Sequence, residues 1–364
     1  MQMHNYYICY IQPCQMPLTL KNYYRKFFIH TLLVICCIDT GEVFAQDTTE
    51  IKPVANSGYI EKFDDWIGIK LALVNTSDVL AVEGDDFKQV IQPNPSALFR
   101  TYINYRFISF SVSYVPHFLR DNNDDTQKGK SKLFGLGAEM NTNNWLTILG
   151  FSRTKGYYLE NTKDFRPGWQ PGDPYFQIPD LYVTSYNASF GYNTDPKLSV
   201  TAGELQTERQ LRSAGAFIPR IFLRYYIIDN RTPNAASAQK STHTQGLFAA
   251  GYQYTLVLNR SFYLTSSFTP AFGYIFSKVK TRFAGEQLTD YSKGPVFQWD
   301  GKLGLGYNGH RVFAGTYLTA ISSKYSQGLT TAVSQDAQLF FQLFVGLRLK
   351  APKALNKAYD NVFK

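Results

Sequence analysis

Long apolar runs are missing from the sequence after its first 45 residues. The chain has 364 residues and a negative mean hydropathy. It lacks the stretch of about 20 apolar residues that a helix needs to cross a bilayer, which excludes a helical membrane bundle. A membrane β-barrel stays open, because alternating strands hide their apolar face from an averaged hydropathy.

Cysteine is confined to a segment that resembles an export signal. A basic stretch and the apolar run 27–38 lead to a site ending at Ala45, the pattern that signal peptidase cleaves. We therefore expect residues 1–45 to be a signal peptide, and Met16 would start one of standard length. The mature chain would then use neither disulfides nor thiolate metal sites. The cysteines ahead of the cut are Cys9, Cys14, Cys36 and Cys37.

Recognisable catalytic motifs are also absent. The sequence has no nucleophile elbow, no paired-histidine zinc motif and no phosphate-binding glycine loop. His117, His243 and His310 each lie alone on or beside a predicted loop, which favours solvated residues over catalytic bases. We predict no cofactor, no metal site and no enzyme. The alternative is an outer-membrane enzyme that modifies lipid or lipopolysaccharide, and a serine and a histidine meeting at the outer rim would favour it.

What the sequence does have is aromatic residues and an alternation of period two. The stretch FISFSVSYVP at residues 107–116 places large apolar side chains at every second position, with serines between them. On a β-strand such a pattern separates into an apolar face and a small polar face. We assign the apolar face to lipid. The lipid-facing candidates are Ile108, Phe110, Val112 and Tyr114.

Similar segments recur along most of the chain and predict a barrel. They exceed the five or six residues typical of globular strands and suit the 9 to 11 residues of a membrane strand, with aromatic residues crowding their ends. We predict an all-β, antiparallel up-and-down transmembrane β-barrel of about 12 strands, with 14 as the alternative, because bacterial barrels have even counts. The pattern gives an odd number of segments, and its regularity breaks between residues 197 and 228. A secreted β-sandwich binding module is the competing fold.

Strand parity also assigns residues to the barrel interior. Positive charges outnumber negative ones in this set, so a basic constriction would favour anionic solutes. The function we expect is a narrow passive channel or a binding platform with an anion bias. The alternative is that these charges pair with one another and fill a narrow barrel. The lumen-facing candidates are Lys70, Glu139, Arg220, Arg224, Asp300, Lys302 and Arg348.

The predicted organisation follows from these strands. Residues 46–65 form a periplasmic N-terminal segment, 66–350 the barrel and 351–364 a periplasmic C-terminal tail. Short connections are predicted periplasmic turns, and long ones, such as 278–294, are predicted external loops. The formal net charge of +9 is scattered, which argues against nucleic acid. Expected partners are outer-membrane lipid and lipopolysaccharide, the barrel-assembly machinery and small anionic solutes.

Several short blocks, in their order, resemble a known family. The blocks are DTTEIKP at 47–53, Pro93-Asn94, GKSK at 129–132, KGYYLEN at 155–161, QLRSAGAF at 210–217 and GYNG at 306–309. They are similar to a Bacteroidetes outer-membrane family catalogued as domain of unknown function 4421, over roughly residues 47 to 353. The resemblance implies an outer-membrane barrel of a Gram-negative bacterium and supplies no catalytic or binding residues. Arg212 stands where the family more usually has lysine.

Overall fold

The structure is a computed structural model. The predicted signal peptide, the first part of the segment 46–65 and His117 lie outside the described residues. The described residues are 57–75, 79–83, 88–95, 97–116, 118–119, 122, 124–142, 144–232, 238–283, 286–326 and 333–363.

These residues form sixteen strands, three α-helices and two 3₁₀ helices, the last being Ser57–Tyr59 and Thr162–Asp164. The α-helices are Asp125–Lys128, Val200–Glu204 and Lys353–Phe363. The strands are β1 (Ile60–Lys62), β2 (Trp66–Asn75), β3 (Leu80–Glu83), β4 (Lys88–Gln92), β5 (Ala97–Tyr105), β6 (Ile108–Tyr114), β7 (Lys132–Thr142), β8 (Trp145–Leu159), β9 (Phe176–Tyr192), β10 (Glu208–Gln210), β11 (Ala214–Asn230), β12 (Ala238–Val257), β13 (Phe262–Phe283), β14 (Glu286–Asn308), β15 (Val312–Ser326) and β16 (Val333–Lys350).

Twelve of the strands close into a ring. All except β1, β3, β4 and β10 pair antiparallel with their neighbours in chain order, and β16 pairs back onto β2, for example through Arg348 and Gly68. The prediction of an antiparallel barrel of about twelve strands is confirmed. The alternatives of fourteen strands and of a β-sandwich are wrong, because the closed sheet leaves neither two further wall strands nor two separate layers.

The two ends of the ring differ. One end, here called the short-turn end, carries the tight connections such as Arg106-Phe107 and both described chain ends. The other, the long-loop end, carries the longer connections and the β3 and β4 hairpin, which pairs with the end of β8. The predicted loop 278–294 is wrong, because β13 and β14 pair there through Lys278 and Tyr291. A strand that extends beyond the bilayer needs no apolar outward face. The charged residues of β13 and β14 in this stretch therefore interrupt the alternation of apolar and polar residues by which a strand is predicted.

The outer surface of the ring is apolar and exposed. Phe110 is 61% exposed, although a water-soluble protein would bury so large a ring. Val112 and Tyr114 are also exposed, and Ile108 is half-buried. Such a band requires lipid around it, as in a transmembrane barrel. Aromatic pairs at the short-turn end, Trp145 with Tyr192 and Phe262 with Tyr307, lie where an interfacial girdle would be.

No helix of the described residues has the length and apolar character needed to cross a membrane.

Candidate functional site

The irregular stretch in the predicted strand pattern is a plug. We use this name for residues 193–213, which leave the wall after β9 and return as β11. The Ser199 hydroxyl accepts a hydrogen bond from the Ala202 amide at 2.8 Å and so begins the helix Val200–Glu204. Leu198 and Leu205 are buried around this helix. Leu198 and Val200 pack in one apolar cluster with Leu146 of β8 and Ile218 of β11, so the plug shares its core with the wall and supplies no wall strand.

The barrel wall donates hydrogen bonds to the carbonyls at the end of this helix. The last carbonyls of any helix have no partner within it, and burial makes an unmet one costly. Here donors from four strands reach inward to the plug. They are Lys70 Nζ to Glu204 O at 2.6 Å, Asn104 Nδ2 to Leu205 O at 2.7 Å, Arg348 Nε to Gln206 O at 3.0 Å, and the Tyr317 hydroxyl to Gly203 O.

Arg348 is the most extensively bonded of these donors. The residue is 3% exposed, and its guanidinium also donates to the Asn308 side chain and to Gly309 O. The ring of Phe63 lies 3.9 Å from its central carbon, on the short-turn side. Arg348 thus joins the plug, the turn after β14 and the segment before β2.

Glu204 provides the plug's own charge. Its carboxylate forms an ion pair with Lys302 of β14. Burial alone would raise the pKa of Glu204, but the positive charges of Lys302, Lys70 and Arg220 outweigh it and hold that pKa below its ordinary value. The ionised plug is therefore bound electrostatically as well as by hydrogen bonds.

A two-stranded ribbon fixes the other side of the plug. β10, within the plug, pairs with β1, which precedes the barrel. Arg209 forms an ion pair with Glu61, and Lys62 lies 3.7 Å from Glu208. Burial raises the pKa of the Glu208 carboxyl, although the Ser199 hydroxyl and Lys62 oppose this. The described part of the N-terminal segment is therefore ordered on the plug.

A polar cavity of about 220 Å³, here called the chamber, lies beside Glu204. Arg220 and Asp300 face it without a hydrogen bond or ion pair to any other described residue. Lys302 lines it as well, and Gln253, Ser267, Thr269 and Thr319 add uncharged polar groups. The chamber therefore combines a free guanidinium with several hydrogen-bonding side chains.

The structure separates the predicted lumen residues into groups. Lys70, Lys302 and Arg348 contact the plug, and Arg220 and Asp300 line the chamber. Arg224 stands over the ring of Tyr226 at 4.7 Å, and Glu139 accepts a hydrogen bond from Asn141. Within the part of the chain that the structure describes, none of the seven pairs with another. Sequence reasoning missed Glu204 and Gln206, for which the break in strand regularity was the available signal.

The prediction that His243 is a solvated residue on or beside a loop is wrong, because it lies on strand β12 and meets serines inside the barrel. His243 of β12 lies with Nδ1 2.8 Å from Ser277 Oγ and Nε2 2.9 Å from Ser241 Oγ. Its ring stacks on Tyr226 and is 2% exposed. His310 instead stays exposed in the turn after β14, with its ring in contact with Phe63 and Trp66. The described ranges contain no group of three or more acidic, histidine or cysteine residues able to hold a metal.

Comparison with known proteins gives one family. A family described as domain of unknown function (DUF4421) matches residues 54–348. No curated protein matches this sequence.

Several solved membrane barrels are similar in structure only. The outer membrane protease OmpT from Escherichia coli has 8% identity and a TM-score of 0.33, covering 79% of this chain and 96% of its own. The β domain of the Bordetella autotransporter BrkA has 8% identity and a TM-score of 0.35, covering 78% and 99%. Ail of Yersinia pestis has 11% identity and a TM-score of 0.20, covering 79% and 99%. At such values none of them informs the activity of this chain.

Proposed function

We propose that this chain, which belongs to the DUF4421 family, is an outer-membrane barrel that its own plug holds closed, with a chamber that binds small anionic solutes. The observation that carries the proposal is the attachment of the plug. Wall residues from five strands, β2, β5, β14, β15 and β16, bond to it. With bonds from five wall strands, the plug is an integral part of the closed barrel.

The plug lies at the periplasmic end in this proposal. Bacterial barrels have short periplasmic turns and longer external loops, and the plug is inserted among the short turns. An open passive channel would require this end of the lumen to be clear. The plugged geometry instead favours the binding platform of the two roles expected from the sequence.

The chamber supplies the anion preference. Arg220 has no hydrogen-bond or ion-pair partner among the described residues, whereas Lys302 forms an ion pair with Glu204. A guanidinium presents a planar fork of donors that fits a carboxylate or phosphate. Asp300 would repel a strongly charged anion, so singly charged solutes with hydrogen-bonding groups suit the site best.

Planar bilayer recordings test the closed barrel. Wild-type protein should show no steady conductance, because the plug fills the short-turn end. Replacement of residues 198–206 by a glycine and serine linker should give discrete, anion-favouring steps. The control Lys197→Ala changes an exposed lysine of the plug and should stay closed. Steady conductance of the wild type would overturn the proposal.

Ligand-dependent melting tests the chamber. A ligand that binds the folded state raises its stability by mass action. Acetate or inorganic phosphate should raise the melting temperature of the wild type, and Arg220→Gln should remove this effect. Lys197→Gln, outside the chamber, should retain it. An equal response in both variants would exclude the chamber as the binding site.

A second candidate is a lipid or lipopolysaccharide modifying enzyme, favoured by the contact of Ser277 with His243. A serine with a histidine base is the core of many acyl transfer sites. In this structure the ring is covered, and its second nitrogen bonds to Ser241 rather than to a carboxylate. Lipid turnover that is lost in both Ser277→Ala and His243→Gln, while Ser241→Ala stays active, would favour the enzyme.

A further inference from the structure

The C-terminal helix, Lys353–Phe363, is attached to the outside of the short-turn end. It begins immediately after β16, where Pro352 O accepts hydrogen bonds from the Leu355 and Asn356 amides. Proline suits this place because it ends the strand ladder and its ring fixes φ for a helix start.

The helix is held by one side of its surface. The Tyr359 ring packs against Tyr105 and Phe107 at centroid distances of 6.0 and 5.8 Å. Arg106 lies over the Tyr359 ring at 3.9 Å and pairs with Asp360 at 3.3 Å. These contacts fix the rotation of the helix about its axis.

That rotation points one face toward the lipid. Tyr105 pairs in register with Ile67 and with Ile108, residues of the outward face of the barrel. Asp360, by contrast, accepts from Arg106 at the tip of the turn region. Asn356 lies between these two sides of the helix, since it accepts from the Tyr105 hydroxyl at 2.6 Å and donates to Asp65. The side of the helix that carries Tyr359 and lies away from Asp360 therefore faces the apolar band of the barrel.

The residues on that side are apolar and uncovered. Leu355 is four residues before Tyr359, and Ala358 follows Leu355 by three, which places them on one face. Both are exposed in the structure. Lys353 and Lys357 lie on the opposite face and are also exposed. The helix is thus amphipathic, with its apolar face continuous with a surface that requires lipid.

We propose that this helix is an interfacial anchor whose Leu355 and Ala358 face enters the phospholipid leaflet on the short-turn side. An amphipathic helix with lysines on its polar face rests in the plane of the headgroups and buries its apolar face a few ångströms below them. The lysines remain in water or among the phosphates. Such a helix fixes the depth and tilt of the barrel rim beside the plug.

Site-directed spin labelling tests the proposal in the full chain, refolded into phosphatidylcholine and phosphatidylglycerol vesicles. The four native cysteines, all between residues 9 and 37, are replaced by serine. Single labels are placed at Leu355→Cys and Ala358→Cys, with Lys353→Cys and Lys357→Cys as matched controls on the opposite face of the same helix. Collision rates are measured with oxygen, which concentrates in lipid, and with a water-soluble nickel chelate.

The expected ratio of oxygen to nickel collisions is several-fold higher at Leu355 and Ala358 than at Lys353 and Lys357. Equal ratios at all four positions would overturn the proposal, because the helix would then lie in water. Protection of the apolar positions from both reagents would also overturn it, since a protein surface would then cover them. Heat-modifiable migration of each labelled protein establishes that its barrel is folded, so a negative result counts against the anchor.

Discussion

The plug end of the lumen and the chamber beside it use the same residue types in opposite ways. Arg348 is buried, and its donors are occupied by the plug and the adjoining turn. Arg220 faces the chamber with no hydrogen-bond or ion-pair partner among the described residues, and it acts on Glu204 only through its charge. An inward positive charge therefore does not by itself indicate a solute path. What matters is whether the charged group already has hydrogen-bond or ion-pair partners within the protein.

This difference has an energetic consequence. Removing a donor from a fully satisfied buried network exposes its acceptors to the desolvation penalty. Removing a side chain that bonds only to water or to a ligand costs the fold little. The plug end should therefore respond to substitution through stability, and the chamber through binding and selectivity.

Arg348→Met should give the largest loss of stability. It leaves at least Gln206 O and Gly309 O without this donor, and each unmet buried acceptor costs roughly 1 to 3 kcal/mol. We expect the free energy of unfolding to fall by about 3 kcal/mol or more, measured by urea unfolding in lipid vesicles. The control Arg220→Met should change it by less than about 0.5 kcal/mol. Equal losses in the two variants would remove the distinction between the regions.

Gly304→Ala should be the next most damaging change. The ring of Tyr317 packs across Gly304, and an added methyl group would overlap it. The hydroxyl of this ring donates to Gly203 O in the plug, so displacement of the ring loosens the plug too. Overpacking of this kind costs about 2 kcal/mol, measurable by the same unfolding assay. Gly301→Ala on the same strand meets its nearest atom at 3.8 Å, and a similar loss there would contradict the explanation.

The wall could be predicted from sequence because, within each strand, the side chains that face lipid alternate with those that face the interior. The serines between Ile108 and Tyr114 reveal a polar interior without knowledge of any neighbour. The plug has no local sequence pattern that indicates its structure. Leu198 and Val200 repeat at the strand period although the segment turns into a helix, and the partner of Lys70 is a carbonyl 134 residues away. Parity places Lys70 inside the barrel, but only the fold shows what its charge is for.

Acid should loosen the plug through Glu204. The pKa of this carboxyl is lowered in the docked plug from its ordinary 4.5, so its ionised form stabilises docking above pH 4.5. That contribution is lost as the pH falls through the docked-state pKa. We expect channel openings in planar bilayers to become several-fold more frequent on acidification. Glu204→Gln should open more often at neutral pH and lose this acid response.

Glu208 is the matched control for that response because its sign is opposite. Burial raises its pKa, so its contribution is present below its ordinary pKa and is lost as the pH rises through the raised value. Glu208→Gln should therefore retain the increase in channel openings at low pH, because it removes only a group whose protonation stabilises the docked plug. An acid response that survives in Glu204→Gln and disappears in Glu208→Gln would reverse the assignment.

The smallest effect on the fold, and the sharpest on function, is expected from Arg220→Gln combined with Arg224→Gln. Neither side chain bonds to the plug in the described structure; Arg224 stacks on Tyr226 and lies 3.5 Å from Ser185 Oγ. In the barrel with residues 198–206 replaced by a linker, loss of two inward charges should move the reversal potential in a salt gradient toward cations, because field lines concentrate between low-dielectric walls. The unfolding free energy should stay nearly unchanged. An unaltered reversal potential would assign the anion preference to the external loops. The chamber would then not be the site that discriminates between solutes.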